Sequence, residues 1–317
     1  MAAPAVGALR RCIGWPTPEA QAGFAKIEFH AGASGPKPLP AVLRYDLHAH
    51  STHSDGLLTP SGLVQRAKAR GVDVLALTDH DELSGLEEAQ SQATESGLRL
   101  IAGAELSVTW RDATLHVLGL RIEPSCAALR DGLERIRAGR ADRARRIGDS
   151  LADAGVADAY EGALSFVTSE RLISRTHFAR FLVSAGHVRH MNDVFKRFLV
   201  RGKPGYVEHA WARLPDAIGW IRAAGGRAVL AHPGRYKVGQ TALRDLLGEF
   251  RDAGGDGIEV LSPSHTAAQA TEFAGHARRL GLLASSGSDY HGPGEGHADL
   301  GDMPPLPAGV TPVWHDW

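Results

Sequence analysis

The sequence predicts an α/β fold, in which strand–helix units build a parallel sheet and a purely helical segment is set between them. Three observations carry this. Short β-rich apolar runs alternate with helical patterns from Leu43 to Leu120 and again from Leu214 to Ser286. Between Ser125 and Gly202 the apolar residues keep a helical period and no strong strand signal interrupts them. Histidines and carboxylates recur where the apolar runs end, and residues gathered at strand ends are what a barrel with its site at the carboxyl face supplies.

In order, Leu43–His48 reads as a strand. Thr59 caps a helix whose first turn holds Pro60, and Leu63, Val64 and Ala67 carry it towards Gly71. Val72–Leu77 is a strand ending at Thr78-Asp79-His80, followed by a helix to Gly97 and a strand over Leu98–Ala102. Leu115–Leu120 continues the sheet. In the middle segment Leu129, Leu133, Ile136 and Arg140 follow helical spacing, as do Phe178, Phe181 and Leu182, then Val194, Phe195, Phe198 and Leu199. The α/β pattern resumes with a helix over Leu214–Ala224, a strand over Arg227–Ala231 ending at His232, and strands over Gly257–Leu261 and Leu282–Ser286. The expected organisation is a poorly ordered, Ala/Gly/Pro-rich extension over 1–40, a catalytic barrel over 41–124 and 203–317, and a helical insertion over 125–202.

Composition bounds the function. The 317 residues, 43% hydrophobic, suffice for a substantial core, and a net charge of −1 gives no global field towards nucleic acid or membrane. The basic residues are nearly all Arg, which is compatible with anion recognition, although Ala/Gly/Arg-rich codon usage is the preferred explanation of the bias. Only Cys12 and Cys126 are present, without a Cys-x-x-Cys pair, so neither a disulfide framework nor a thiolate zinc site is expected, and a cytoplasmic setting is the default. No apolar run approaches the roughly 20 residues of a membrane span.

The chemistry concentrates in a few short stretches: Asp46-Leu47-His48-Ala49-His50-Ser51 and Ser54-Asp55-Gly56, then Thr78-Asp79-His80-Asp81 and Gly103-Ala104-Glu105, Leu115-His116-Val117, Ala231-His232-Pro233 and Ser288-Asp289-Tyr290-His291. His48 and His50, two apart on a strand, point to one face and can chelate one ion. Asp289 and His291 repeat that spacing. Nitrogen and oxygen donors without thiolate suit Zn, Mn or Fe better than Mg or Ca alone. The nine residues His48, His50, Asp55, His80, Glu105, His116, His232, Asp289 and His291 are too many for one ion and point to a cluster of the kind that hydrolyses phosphate esters. Asp46 and Asp79 are placed to orient ligands, with helix capping the alternative for Asp79 and Asp81. His53 is expected to face solvent. The remaining histidines, His190 among them, default to structural or surface roles.

The order DLHAHS…SDG, TDHD, GAE, LHVLG, AHPGRY and GSDYH resembles the PHP (polymerase and histidinol phosphatase) phosphoesterases. The middle segments Ser174–Arg180 and Arg201–Tyr206 narrow the resemblance to the bacterial branch of 3′,5′-nucleoside bisphosphate phosphatases and 5′→3′ exoribonucleases. It covers Arg44 to the C-terminus. The resemblance implies a distorted (β/α)7 barrel and three divalent ions per chain, Mn2+ first, with Zn2+ or Fe2+ as alternatives. It implies one ion on His48, His50, Glu105 and Asp289, a second on Glu105, His116 and His232, and a third on Asp55, His80 and His291. Glu105 would bridge two ions and Asp289 would assist proton handling, which makes these two the catalytic candidates.

A 3′,5′-bisphosphate needs a second anion site. Arg140, Arg143 and Arg175 in the helical segment, Lys203 after it, and Arg235 after His232 are the candidate substrate residues. For Arg140 and Arg143 the bland alternative is an exposed helix face with i,i+3 spacing, and for Lys203 a turn. The expected partners are nucleoside 3′,5′-bisphosphates and short 5′-phosphorylated RNA ends, with no membrane and no obligate protein partner. A histidinol-phosphatase-like activity, a non-catalytic metal-binding module and an amidohydrolase stand as alternatives. The last often needs a metal-bridging Lys, and no Lys ends a predicted core strand.

Overall fold

A computed structural model describes residues 43–296 and 298–317. The extension expected over 1–40 lies outside the described residues. Among the described residues there are eight strands: β1 (Tyr45–Asp46), β2 (Val74–Leu77), β3 (Arg99–Trp110), β4 (Ala113–Leu120), β5 (Ala212–Arg213), β6 (Arg227–Leu230), β7 (Gly257–Leu261) and β8 (Leu283–Ser286). All eight belong to one sheet, seven in the order β1-β2-β3-β4-β6-β7-β8 and β5 paired with β3 off that path. The sheet curls until its two edges meet: the Leu47 amide donates to the Ser286 carbonyl at 3.1 Å, and Ala49 bridges to Tyr290. The expected α/β barrel is therefore a nearly closed, barrel-like sheet.

It is not all parallel. β4 runs antiparallel to both β3 and β6, whereas the other neighbours along the order run parallel. The sequence reading ended the third strand at Ala102, but β3 continues to Trp110 and turns through Arg111-Asp112 straight into β4. Arg111 takes the left-handed conformation, φ 51°, that such a tight connection uses. Two consequences follow for the site. Glu105 lies inside a strand rather than at its end. His116 pairs with Ser107, so His116, Ser107 and Glu105 share one face of the hairpin.

The helices are α1 (Pro60–Ala69), α2 (Leu86–Ser96), α3 (Ala127–Ala138), α4 (Arg140–Asp153), α5 (Ala159–Leu164), α6 (Arg175–Ser184), α7 (Met191–Val194), α8 (Leu214–Ala223), α9 (Gln240–Asp252) and α10 (Ala267–Leu280). The Thr59 hydroxyl accepts the Gly62 amide at 3.1 Å with Pro60 in the first turn, as the sequence predicts. Gly97 closes α2 in the left-handed conformation. The helical period expected from Leu129 through Arg140 breaks at Gly139, where a β-carbon would stand 2.6 Å from the His209 ring, so Arg140 opens α4 instead of ending α3. A π-type turn over Phe195–Leu199 follows α7.

Apolar packing divides the helical segment. Leu129 and Leu133 of α3 join the main barrel core with Ile218 and Ile221 of α8 and Leu115 and Leu230 of the sheet. Ile147 and Leu151 of α4, Phe178 and Leu182 of α6, and Leu199 form a separate cluster.

Candidate metal centre

The nine sequence-predicted donors converge at one end of the sheet. His48, His50 and Asp55 lie in the loop after β1, His80 just after β2, Glu105 inside β3, His116 inside β4, His232 after β6, and Asp289 and His291 after β8. Glu105, fully buried, is the hub. One carboxylate oxygen, Oε1, lies 2.9 Å from His116 Nδ1 and 2.9 Å from His232 Nε2. The other, Oε2, lies 3.0 Å from His80 Nδ1 and 3.3 Å from both His48 Nε2 and His50 Nε2. Asp289 Oδ1 stands 3.4 Å from the same two nitrogens of His48 and His50. Asp55 Oδ1 stands 3.3 Å from His291 Nε2 and 3.7 Å from His80 Nε2.

These side chains fit divalent cations on their own geometry. Four sets have donor atoms within 4.8 Å of one another: His50, Asp55, His80 and His291; His48, His232 and Asp289; His48, His50 and Glu105; and His80, Glu105 and His116. Asp55 Oδ1, His80 Nδ1, Glu105 Oε2 and His116 Nδ1 are buried without a hydrogen-bond partner, an arrangement that is costly unless another group satisfies it. All the donors are nitrogen or oxygen; buried Cys126 lies in the barrel core.

Charge in the cluster is balanced internally. Burial acts to raise the carboxyls of Asp55, Glu105 and Asp289, yet the surrounding imidazoles hold all three well below the usual range. Burial pulls His80 well below its ordinary value and His232 down to about 4, which leaves neutral imidazoles of the kind that bind metal. Against burial, Glu259, Glu105 and Asp289 raise His48, and Asp55 takes His291 up to about 9. Protons held on such raised imidazoles compete with a cation for the same ring nitrogens.

A second layer of carboxylates fixes the loops. Glu259 on β7 accepts His48 Nδ1–H at 2.9 Å and the His232 amide at 2.6 Å. Asp79 accepts the Ser51 amide, the Ser51 hydroxyl and the Ser54 hydroxyl at 2.6–2.7 Å. Asp46 accepts the amides of Ser288 and Gly301, each at 2.8 Å. Asp81 accepts the Ser107 amide and hydroxyl and pairs with Arg140. Neither Asp79 nor Asp81 caps α2, whose cap residue is Gly85; both brace the site instead. His232 and Asp289 hold φ of 27° and 48°, unusual for residues with side chains, and these braces keep them there.

The barrel seam is tight beside His48. A β-carbon on Gly287 would stand 2.3 Å from His48 Cβ and 2.7 Å from its amide nitrogen. Gly287→Ala is therefore expected to destabilise the protein by about 1–3 kcal/mol through overpacking and to loosen cation binding through His48. Thermal unfolding with and without added Mn2+ checks this; an unchanged melting temperature in both conditions contradicts it.

A cleft beside the centre is lined by the donors His80, His116 and His291 together with Arg140, Arg143, Arg175, Arg235, Ser174 and Trp211. Of the five cations singled out from sequence, four reach this cleft; Lys203 does not and stands exposed in the turn before Gly205. Arg140 and Arg143 are not an exposed face: both are buried, at 6% and 8% exposure, over the Trp211 ring. Arg140 is neutralised by Asp81, and Arg235 donates to Asp289 Oδ2 at 2.7 Å. Arg143 and Arg175 have no carboxylate partner among the described residues. Burial, then Arg175 and Arg140, push Arg143 down to about 9. Arg180, named beside Arg175 in the sequence, binds both Glu295 oxygens and the Asp55 carbonyl and thus clamps two loops. His53 is half-buried and meets the Ser84 hydroxyl at 2.7 Å.

Sequence reasoning missed Glu259, Trp211 and Ser174, whose hydroxyl donates to Asp55 Oδ2 at 3.1 Å. Glu259 carried a usable signal, because a carboxylate in the apolar run Gly257–Leu261 needs a buried partner. Ser174 carried only its place at the head of the family-like segment Ser174–Arg180, and Trp211 carried none.

A barrel-like α/β sheet whose strands and loops gather six histidines and two aspartates around a buried glutamate defines a metal-dependent hydrolase. The PHP domain profile matches residues 46–173. The 3′,5′-nucleoside bisphosphate phosphatase of Chromobacterium violaceum is 51% identical over 271 residues, covering 86% of this chain and 95% of that protein. The 5′-3′ exoribonuclease Rnm of Escherichia coli is 41% identical over 275 residues, covering 86% and 93%. A solved structure of an amidohydrolase from Chromobacterium violaceum, with bound sulfate and no metal, superposes with a TM-score of 0.83 at 50% identity, covering 86% of this chain and 94% of that one. The chain belongs to the PHP family of metal-dependent phosphoesterases. No helix among the described residues is long and apolar enough to cross a membrane.

Proposed function

We propose that this chain removes the 3′-phosphate of nucleoside 3′,5′-bisphosphates and cuts the first phosphodiester of short 5′-phosphorylated RNA. The carrying observation is the pair Arg143 and Arg175, uncompensated by carboxylate among the described residues and lining one cleft with the donors Asp55, His80, His116 and His291. Two cations beside a cluster of cation-binding donors suit a substrate with two phosphates, one cleaved and one only held. The two similar proteins act, by their names, on a nucleoside bisphosphate and on RNA from its 5′ end, which agrees with this reading.

His48, His50, Glu105 and Asp289 would hold one divalent ion, Glu105, His116 and His232 a second, and Asp55, His80 and His291 a third, with Mn2+ the first choice. When bound, such ions lower the pKa of water and offset the charge on phosphoryl oxygens. Glu105 presents one oxygen to each of two donor groups and so spans them. Arg175 and Arg143 hold the non-scissile phosphate and fix the nucleotide. The Asp289 carboxylate, oriented by Arg235, accepts a proton from the attacking water. The water oxygen bonds to phosphorus, the bond to the nucleoside 3′-oxygen breaks, and that oxygen takes up a proton. Helices α4 and α6 serve as a lid carrying the arginines. Soluble nucleotide substrates place the enzyme in the cytoplasm without an obligate protein partner.

The amidohydrolase alternative lacks its metal-bridging lysine: of the described lysines, Lys68 lies in α1, Lys196 in the Phe195–Leu199 turn, Lys203 in the turn before Gly205 and Lys237 in the loop before α9, so none stands on or at the end of a barrel strand beside the donors. The test is phosphate release by Mn2+-loaded protein from adenosine 3′,5′-bisphosphate, histidinol phosphate and short 5′-phosphorylated RNA, beside an amide panel. The bisphosphate and RNA should dominate. Preference for histidinol phosphate or an amide overturns the reading.

A further inference from the structure

We propose that a second cleft at the metal centre seats the nucleotide downstream of the scissile phosphate, so that this chain takes an RNA end as a strand; this rests on the function proposed above. The cleft opens on the Asp289 side, and Arg189, His190, Phe195 and Ser264 line it. Thr176, Phe195, Arg235 and His291 border both this cleft and the arginine cleft, so the two form one trough across the centre.

The direction of the chain follows from the chemistry of the bond. In 5′-phosphorylated RNA the scissile phosphate joins the 3′-oxygen of the first nucleoside to the 5′-oxygen of the second. With the first 5′-phosphate held by Arg143 and Arg175, the remaining ester arm leaves the centre by the adjoining second cleft, which neither Arg143 nor Arg175 lines.

Its composition suits a nucleotide. Arg189 is exposed, pairs with no carboxylate among the described residues, and offers a fork to a phosphate. Phe195, partly buried against the α4 and α6 cluster, lines both clefts and supplies an aromatic ring for contact with a base, the sequence-tolerant contact of single-stranded recognition. The cleft's two acids do not repel the strand, because Asp289 is paired with Arg235 and Glu295 with Arg180. His190, expected from sequence to have only a surface role, lies beside this path. A net charge of −1 limits the footprint to a few phosphates.

In the reaction the water oxygen bonds to phosphorus, the bond to the first nucleoside's 3′-oxygen breaks, and the two water protons end on that oxygen and in solvent. The products are a 5′-nucleotide and a shortened strand bearing a new 5′-phosphate. That phosphate is the group the arginine cleft needs for the next round.

The experiment compares wild type, Arg189→Ala and Arg189→Glu on two substrates, 5′-phosphorylated triadenylate and adenosine 3′,5′-bisphosphate. It measures kcat/KM with Mn2+ and, on metal-stripped protein, the Kd of fluorescently labelled triadenylate by anisotropy. Arg189→Ala should weaken both trinucleotide readouts about tenfold, the low end of a charge-assisted contact at an exposed site, and Arg189→Glu should weaken them further. The bisphosphate should be unchanged. Equal effects on the two substrates, or none, overturn the inference. A wild type that hydrolyses the bisphosphate but neither binds nor cuts the trinucleotide overturns it while leaving the phosphatase reading intact; a wild type that hydrolyses neither removes both.

Discussion

Glu105→Gln should lower turnover by well over 100-fold, because loss of a mere supporting partner of a ligand already costs about 10–100-fold. The substitution keeps size and shape and removes the charge. It replaces one oxygen with an amide that donates and cannot bind a cation, and either orientation of that amide spoils a group. Turned one way it faces His116 and His232, each 2.9 Å from Oε1; turned the other way it faces His48, His50 and His80. One change therefore weakens two donor groups at once, whereas His116→Ala touches one. Metal analysis after Mn2+ loading should show a stoichiometry lower in Glu105→Gln than in His116→Ala. Full occupancy with near-normal turnover would refute the bridging role.

Arg175→Ala should behave in the opposite manner, with metal content kept and substrate choice lost. Removing a charge-assisted hold on the non-scissile phosphate costs roughly 1.5–3 kcal/mol. At 1.36 kcal/mol per tenfold this is about a 10- to 150-fold loss in kcat/KM on a 3′,5′-bisphosphate. A nucleoside 3′-monophosphate has no second phosphate and should lose far less. The ratio between the two substrates is insensitive to general damage. Arg143→Ala should move the ratio in the same direction, because its guanidinium shares the cleft and likewise lacks a carboxylate partner among the described residues. If both substrates fall by one factor, Arg175 serves the fold or the scissile phosphate, and the lid role of α4 and α6 loses its support.

The sequence by itself determined the donors and their order. A ligand must be a His or a carboxylate whatever surrounds it, and a His-x-His pair on a strand faces one side by the two-residue period alone. For that reason His48, His50, Asp55, His80, Glu105, His116, His232, Asp289 and His291 could be named before any coordinates, and all nine converge. The helix starts at Thr59-Pro60 and the strand Gly257–Leu261 were legible for the same reason, since capping and apolar patterning are local. Only the tertiary structure decided what depends on distant partners. That β3 runs on through Glu105 and returns antiparallel is fixed by pairing with β4 and by the Arg111-Asp112 turn, not by local propensity. That Glu259 rather than Asp46 or Asp79 binds a ligand's side chain directly, that Asp81 neutralises Arg140, and that Arg143 and Arg175 are left without a carboxylate partner among the described residues are matters of which side chain reaches which across long stretches of chain. An arginine's charge is written in the sequence, but its availability to a substrate depends on the nearest carboxylate, and only folding sets that distance.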